Sequence, residues 1–390
     1  MTSSVTLALR NGLLFDSETG RFEAGDLAIA GGRIVALGAG TVAADAAGSL
    51  DVAGAVISPG LIDLHAHVFS GQDLGVNADV VGPPAATTTF VDTGSAGAHL
   101  WGALHHEIAA RSTRIIAFIN IASIGTTSIR LRGELKTAAY TDVAACVAAA
   151  RDPERPAAGV KVRASADVAG DRADAALTAA RQAADELGCP LMVHLGPAPS
   201  TLPTILTTLR RGDILTHCFT HFRDNGVVAG QSILDAVGEA RARGVLFDVG
   251  HGASGFDVTT AAAALAAGFL PDTISSDIHA YSAAHVIDLP AVLSRFLALG
   301  VDLPDVLRRA TWTPARALGL LEDGIGALRL GGPADVAVLR LVDEPGEFID
   351  AAGTTLPGRQ RLVVEHTIRG GQHVYDHTAH RRTDRRTSGE

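Results

Sequence analysis

The sequence predicts an α/β fold, a (β/α)8 (TIM) barrel accompanied by a small β-sandwich domain formed by both termini. Short apolar segments in the middle of the chain alternate with alanine-rich helical stretches, which is the pattern of parallel βα units. The two ends of the chain instead alternate apolar and polar residues in short runs broken by glycine, which is typical of β-strands and turns. Two ends of similar character around a different middle predict one terminal domain.

Eight apolar segments supply the strands of the predicted barrel. In chain order they read AVISPGLIDLHAH, TTTFVDTG, RIIAFINIA, AGVKVRAS, PLMVHLG, DILTHCF, GVLFDVGHG and TISSDIH. Stretches such as DRADAALTAARQAADELG and QSILDAVGEARARG are the helices between them. Eight strands close such a barrel, and a length of about 270 residues matches its usual size. A doubly wound sheet is the alternative fold, but no GxGxxG motif follows the first strand.

These patterns predict the domain organisation. Residues 1–55 and 326–380 form the two parts of the β-sandwich, residues 56–325 form the barrel, and residues 381–390 form a frayed polar tail.

Composition and charge exclude several classes of function. The 390-residue chain carries a net charge of −10, so no basic surface is expected for a nucleic-acid partner. Its three cysteines, Cys146, Cys189 and Cys218, lie far apart and form no CxxC motif, which is typical of reduced thiols in the cytoplasm. We expect no signal peptide and no membrane span, because no apolar run approaches the roughly 20 residues that a spanning helix needs.

Most of the predicted strands begin apolar and end polar. The carboxyl ends of barrel strands meet at one mouth, where active sites of this fold lie. His65 and His67 are two residues apart, so on a strand they face the same way and can bind one cation. Taken singly, His194 and His217 are also compatible with buried core histidines, and Asp277 with a helix cap. Their convergence at one mouth favours a metal site.

Lys161 lies inside an apolar strand, where lysine is rare unless it is paired. Burial lowers the pKa of a lysine and yields a neutral amine. A neutral amine takes up carbon dioxide to form a carbamate, whose two oxygens can bridge two metal ions. The alternative is a lysine paired with a carboxylate such as Asp63.

The candidate ligands are HxH on the first strand, Lys on the fourth, His on the fifth and sixth, and Asp on the eighth. These residue types in this order resemble the metal ligands of the amidohydrolase superfamily. Within it, the chain resembles the amidohydrolase/deacetylase group, which is dihydroorotase-like. The segments that carry this resemblance include GVKVRAS, LMVHLGPAP, GDILTHCFT, GVLFDVGHG and GFLPDTISSDIH. One departure is His221, where the group is expected to have glycine.

The resemblance implies a hydrolase with two divalent metal ions, zinc by default. It places His65, His67 and Asp277 on one ion, His194 and His217 on the other, and a carboxylated Lys161 with a hydroxide between them. The bridging hydroxide would attack an ester or amide carbonyl, and Asp277 would act as base and then as acid. The expected substrate is a small carboxylate-bearing molecule, such as an acylated α-hydroxy or amino acid resembling acetyl-(R)-mandelate.

Five further residues are candidates for binding the substrate. Any of three arginines near the predicted mouth could bind a carboxylate through two parallel hydrogen bonds. The alternative for each arginine is a salt bridge within its loop. Two histidines also end strands and are expected near the site. These candidates are Arg163, Arg130, Arg223, His251 and His279.

Other functions stay open from the sequence. A cyclic amidase of the dihydroorotase type is the nearest alternative; a catalytically dead barrel and a metal-dependent lyase or isomerase are the others. The family expectation is a homo-oligomer. The histidines of the terminal segment, His373, His377 and His380, are not expected to bind a ligand.

Overall fold

The computed structural model describes residues 4–42, 46, 48–230, 232–350 and 352–378. The predicted tail at 381–390 and His380 lie outside the described residues. The strands are β1 (Leu7–Asp16), β2 (Arg21–Ala30), β3 (Arg33–Gly38), β4 (Ser49–Asp51), β5 (Val56–Pro59), β6 (Leu61–Ala66), β7 (Thr87–Gly97), β8 (Arg114–Asn120), β9 (Gly159–Val162), β10 (Leu191–His194), β11 (Ile214–Thr216), β12 (Val228–Ala229), β13 (Ser232–Ile233), β14 (Leu246–Asp248), β15 (Val336–Ile349), β16 (Thr355–Arg369) and β17 (Gln372–Asp376).

Twelve α-helices lie within the described residues. They are α1 (Ala78–Val81), α2 (Trp101–Ala109), α3 (Val143–Ala150), α4 (Ala166–Ala169), α5 (Ala173–Leu187), α6 (Leu202–Thr208), α7 (Asp235–Arg243), α8 (Val258–Ala266), α9 (Ala283–Val286), α10 (Leu289–Ala298), α11 (Leu303–Arg308) and α12 (Trp312–Ala317). Short 3-10 helices cover Pro83–Ala85, Ala138–Tyr140, Gly170–Arg172 and Arg223–Asn225. No helix in the described part of the chain is long and apolar enough to cross a membrane.

A curled parallel sheet forms the middle of the molecule. Its order, β6-β7-β8-β9-β10-β11-β14, follows the chain apart from the separate β12-β13 hairpin. Residues 273–278 bridge both edges of this sheet in parallel, at Asp248↔Thr273 and at Ala66↔Ile278. The backbone N–H groups of Asp277 and His67 donate to the carbonyls of His65 and Ile278 respectively, which attaches this segment firmly to β6. All eight predicted apolar segments therefore lie side by side.

Helix α5 shows why the alanine-rich stretches pack outside this sheet. The residues Ala176, Ala180 and Ala184 recur at a spacing of four and are buried, so they form one apolar face. Their small side chains let the helix lie against β9 and α3. The helix ends at Gly188, whose φ of 66° closes the last turn in the left-handed conformation. The predicted helix over this stretch is confirmed.

Both termini contribute to one eight-stranded sheet. Its order is β17-β16-β15-β5-β1-β2-β3, and β4 pairs with β1. The two halves meet where β15 pairs with β5 in antiparallel register, from Val336↔Pro59 to Leu339↔Val56. Buried residues of the sheet itself, among them Leu27 in β2, Ile57 in β5 and Val338 in β15, form a separate apolar cluster. Because β5 runs on through one residue into β6, the terminal sheet is joined directly to the first strand of the parallel sheet.

Candidate metal centre

The predicted ligands come together at the carboxyl ends of the parallel strands. They line one small cavity together with neighbouring side chains: His65, His67, Thr126, Ile129, Lys161, Arg163, His194, His217, Asp277 and His279. Of the six predicted ligands, His194 is partly exposed and the other five are buried. Polar side chains sit here because parallel strands of similar length end at the same rim.

His65, in β6, is held in one tautomer by its neighbours. Its Nδ1 lies 2.7 Å from Oγ1 of Thr216, and that hydroxyl donates its proton to Oδ2 of Asp248, also over 2.7 Å. The threonine oxygen can therefore only accept, so Nδ1 of His65 carries the ring proton. Its Nε2 is left with a lone pair that faces the cavity.

His67 repeats this arrangement on the next inward-facing position. Its Nδ1 lies 2.9 Å from Oγ of Ser95, which donates to Oδ2 of Asp92 over 2.8 Å. Burial lowers the pKa of both His65 and His67 well below the usual value, so both rings are neutral. Each ring thus presents an unprotonated Nε2, which is the form that binds a cation.

His217 follows β11 directly and presents its Nε2 as well. Its Nδ1 donates to the carbonyl of Gly250 over 2.7 Å, while Nε2 is buried with no hydrogen-bond partner among the described residues. Burial lowers the pKa of His217 to about 3. Its φ of 67° is rare for a residue with a side chain, and such strain clusters at functional sites.

Asp277 lies in the segment that bridges the two edges of the sheet. Its Oδ1 is 3.3 Å from Nε2 of His65 and 3.5 Å from Nε2 of His67, yet it is buried with no hydrogen-bond partner among the described residues. Burial raises the pKa of Asp277 well above the usual value. Like His217, Asp277 has a left-handed backbone, with φ of 48°.

Lys161 reaches the centre from β9. Its side chain is 1% exposed, and Nζ lies 3.3 Å from Nε2 of His65 and 3.4 Å from Sδ of Met192. Within the described part of the chain it forms no salt bridge, and Asp63 is instead occupied by the backbone and hydroxyl of Ser276. Burial lowers the pKa of Lys161 to about 7. The pairing of Lys161 with Asp63 is therefore wrong.

His194 ends β10 beside His217. The two rings meet edge to face with centroids 4.3 Å apart. Burial lowers the pKa of His194 well below the usual value, so this ring is also neutral. The pair lies next to the first group, because the centroids of His65 and His217 are 5.1 Å apart.

These atoms fit a bound cation. Lone pairs on His65 Nε2 and His67 Nε2 face the Asp277 oxygen, with no ring proton available to place between them. Ligand atoms of His65, His217 and Asp277 all lie within 4.8 Å of one another. Burying several acceptors against each other is costly unless a proton or a cation lies between them, and a divalent ion could contact all of them at once. Imidazole and carboxylate are ligands that zinc and similar divalent ions accept.

The candidate substrate residues are placed differently from one another. Arg163 and His279 line the cavity. Arg163 forms a buried ion pair with Glu134, whose Oε1 lies 3.2 Å from Nη1. His279 accepts a hydrogen bond at Nδ1 from the backbone N–H of Tyr281 over 3.1 Å, and burial lowers its pKa to about 4.

Two other candidates, Arg130 and His251, do not line the cavity. Arg130 rests over the ring of Tyr281, with its guanidinium carbon 5.2 Å from the centroid. His251 is fully buried and stacks on Phe256 at 4.7 Å, with its Nδ1 donating to the carbonyl of Gly252. The side chain of Arg223 lies outside the described residues, although its backbone forms the 3-10 helix after β11.

Several residues that matter here were not predicted from the sequence. Thr216, Asp248, Ser95 and Asp92 orient the ligands, and Glu134 holds Arg163. Asp248 and Asp92 do belong to predicted strand segments, FDVGHG and TTTFVDTG. A carboxylate within an apolar run was therefore the sequence feature that could have identified them.

Known proteins resemble this chain over nearly its whole length. It is 32% identical to a deacetylase of Agrobacterium fabrum over 353 residues, which cover 90% of this chain and 86% of that relative. A solved adenine deaminase matches with a TM-score of 0.87 at 28% identity, covering 96% of this chain and 100% of its own. A solved dihydroorotase matches with a TM-score of 0.87 at 29% identity, covering 95% and 97%. No protein-family model matches the chain.

Proposed function

We propose that this chain, a hydrolase that belongs to the amidohydrolase/deacetylase group of the amidohydrolase superfamily, cleaves an ester or amide acyl bond in a small carboxylate-bearing substrate. The substrate class is an acylated α-hydroxy or amino acid, of which acetyl-(R)-mandelate is the model compound. The relatives named deacetylases support removal of an acetyl group. The observation that carries the proposal is the convergence of unprotonated Nε2 atoms on the Asp277 carboxylate.

The proposal includes two divalent ions, with zinc as the native metal. His65, His67 and Asp277 would hold one ion, and His194 with His217 would hold the other. When bound, such ions lower the pKa of a water molecule and polarise the carbonyl of the substrate. The neutral imidazoles support this assignment. So do Nε2 of His217 and Oδ1 of Asp277, which are buried and have no hydrogen-bond partner among the described residues.

Lys161 would bridge the two ligand groups as a carbamate. Its amine lies beside His65 without a carboxylate partner among the described residues, and burial favours the neutral form that reacts with carbon dioxide. In that reaction the nitrogen lone pair attacks the carbon of carbon dioxide, one C=O π pair moves onto oxygen, and one N–H proton passes to water. The resulting carbamate carries one negative charge. A carboxylated Lys161 would thus add two oxygen ligands to the nitrogen ligands of the histidines.

Asp277 would carry the proton through the reaction. Its carboxylate lies at the centre of the group, where it can accept a proton from the attacking water and return it to the leaving oxygen or nitrogen.

Arg163 would bind the carboxylate of the substrate. Glu134 occupies one side of its guanidinium through Nη1, and that pairing keeps the side chain directed along the cavity wall. A guanidinium has five N–H donors, so one ion pair leaves donors for a second carboxylate. His279, on the same wall, would contact the substrate beside it.

The proposal extends to the architecture of the chain. We interpret the seven-stranded parallel sheet, closed by residues 273–278, as a (β/α)8 barrel over residues 56–325. The sheet that both termini share would then be the small β-sandwich domain of residues 1–55 and 326–380. The bridges from residues 273–278 to both sheet edges are the observation in its favour.

A kinetic screen of the zinc-loaded protein tests the function. We expect the highest kcat/KM with an acetylated α-hydroxy or amino acid, and a preference for one enantiomer of acetyl-mandelate. Dihydroorotate tests the cyclic amidase alternative, and release of ammonia from adenine tests a deaminase. Turnover of either compound in preference to every acylated carboxylate would contradict the proposal.

Carbon-13 NMR tests the carbamate independently of turnover. Protein exchanged with ¹³C-labelled bicarbonate should show one carbamate resonance in the native state that disappears on acid denaturation. The Lys161→Arg variant, which keeps a positive charge but cannot form a stable carbamate, is the matched control. A wild-type spectrum identical to that of the variant would show that Lys161 is not carboxylated.

A further inference from the structure

A second group of metal-ligating side chains lies on the terminal sheet, apart from the centre described above. His366 in β16 and His373 and Asp376 in β17 bring their ligand atoms within 4.8 Å of one another. Nδ1 of His366 is 3.1 Å from Nε2 of His373, and it is 4.0 Å from Oδ1 of Asp376. These three residues are called the edge triad, because β17 is the outermost strand of the sheet.

A local irregularity in the sheet brings the triad together. His373 and Asp376 are three residues apart, so in a regular strand they would point to opposite faces. The register between β16 and β17 instead shifts: His366 pairs with Asp376, but Ile368 pairs with His373. The extra residue in β17 turns His373 to the face that His366 and Asp376 share. Bulges of this kind re-aim side chains, often at functional positions.

The carboxylate of the triad is held in place by the next residues. Oδ1 of Asp376 accepts hydrogen bonds from the backbone N–H and the hydroxyl of Thr378, over 2.8 and 2.7 Å. His366 is partly buried in the sheet, whereas His373 is exposed. The triad therefore combines fixed side chains on one side with access for a dissolved ion on the other.

We propose that the edge triad binds one divalent transition-metal ion, with zinc as the first choice. Two imidazoles and one carboxylate are a zinc-type donor set that leaves one position for water. In a tetrahedral zinc site, two nitrogens at their usual bond lengths are about 3.3 Å apart. The 3.1 Å between the nitrogens of His366 and His373 is close to that spacing. Bound zinc would fasten the edge strand β17 to β16.

A direct hydrogen bond between the two imidazoles is the competing explanation of their contact. It needs one ring to donate and the other to accept, and it involves no ion. The two explanations differ in metal stoichiometry, since only the first adds one equivalent of bound zinc.

Equilibrium dialysis of the full-length protein against buffered zinc, followed by metal analysis, tests the proposal. We expect wild-type protein to bind one equivalent more than His373→Gln. The double variant His366→Gln/His373→Gln should lose the same single equivalent, because both residues would hold one ion. His106→Gln, an exposed histidine on α2, is the matched control and should bind as much zinc as wild type.

Two further measurements keep the result interpretable. All variants should hydrolyse the best substrate from the screen at the wild-type rate, since the triad contributes nothing to the cavity at the strand ends. Zinc should also raise the Tm of wild-type protein more than that of His373→Gln, because a ligand that binds only the native state stabilises it. Equal zinc content in wild type and all triad variants would overturn the proposal and would leave the hydrolase function unaffected.

Discussion

Thr216 sets the tautomer of His65: its hydroxyl donates to Asp248 and so can only accept from Nδ1 of the imidazole, over 2.7 Å. Nε2 of His65 is thereby left free to face Asp277 and Lys161. The same logic holds for Ser95 with His67 and for the carbonyl of Gly250 with His217. Three histidines at the ends of two strands thus present the same ring nitrogen to one cavity.

Thr216→Val should weaken metal binding while leaving the fold intact. Valine has the same shape but no oxygen, so it removes the acceptor that orients His65, and loss of such a contact costs about 10- to 100-fold in metal affinity. Competition with a chromophoric chelator measures the change. Thr216→Ser keeps the hydroxyl and should bind metal like wild type; equal affinities in all three proteins would show that Thr216 does not orient the ligand.

Gly250→Ala should reduce both metal affinity and activity. A Cβ there would collide with Oγ1 of Thr216 and lie 2.9 Å from Nδ1 of both His65 and His217. Its φ of 50° adds strain, so Gly212→Ala, which has φ of 86° and open space around it, is the matched control. We expect a large loss of bound metal for the first variant and none for the second. Full metal content in Gly250→Ala would mean that the rings can shift without penalty.

Asp277→Asn should lower kcat by about 10²- to 10⁴-fold, the usual contribution of a general acid–base group. The amide keeps the size of the side chain but cannot accept and return a proton. Zinc content must be measured on the same preparation, because Asp277 is also a proposed ligand. A metal-loaded variant with near-wild-type turnover would exclude the proton-transfer role.

Arg163→Gln should raise KM for substrates that carry a carboxylate, with a smaller effect on their neutral amides. Arg163 lines the cavity, whereas Arg130 rests over the ring of Tyr281. Losing one charge-assisted contact costs about 1.5–3 kcal/mol, or roughly 10- to 150-fold in kcat/KM. Arg130→Gln provides the comparison, and a larger effect from that variant would transfer the carboxylate-binding role to Arg130.

The three thiols should react slowly with iodoacetamide in the native protein. Burial raises the pKa of Cys146 to about 12 and of Cys189 to about 11, and it raises the pKa of Cys218 well above the usual value. A thiol of pKa about 12 is only about 10⁻⁴ ionised at pH 8, and the thiolate is the reactive form. Mass spectrometry should find Cys189 modified first, because it is half-buried while the others are buried. Rapid labelling of native Cys146 would contradict this, and denatured protein gives the reference rate.

The strand segments and the order of candidate ligands were readable from the sequence because they depend on local patterns. An apolar run that ends in a polar residue marks a buried strand and its rim, and this pattern found His194, His217 and Asp277 without tertiary information. Lys161 stood out for the same reason, as a charge inside an apolar run. Helix α5 followed from the spacing of its alanines.

Contacts between distant segments could not be read in this way. The sequence suggested Asp63 as a partner for Lys161, but Ser276, more than 200 residues away, occupies that carboxylate. Nor did the sequence indicate that the ring of His251 stacks on Phe256. The edge triad depends on one bulge between β16 and β17, which no residue type in that segment indicates.

The sequence by itself determined which residue types stand at the ends of the parallel strands, since alternation and apolar runs are set by neighbours along the chain. Only the tertiary structure decided which nitrogen each histidine presents and that Arg163, unlike Arg130, lines the cavity. Those properties depend on contacts across 28 to 151 residues of chain: hydrogen bonds such as Thr216 with His65, and ion pairs such as Glu134 with Arg163. Such contacts exist only once curling of the sheet brings separate strand ends within a few ångströms of each other.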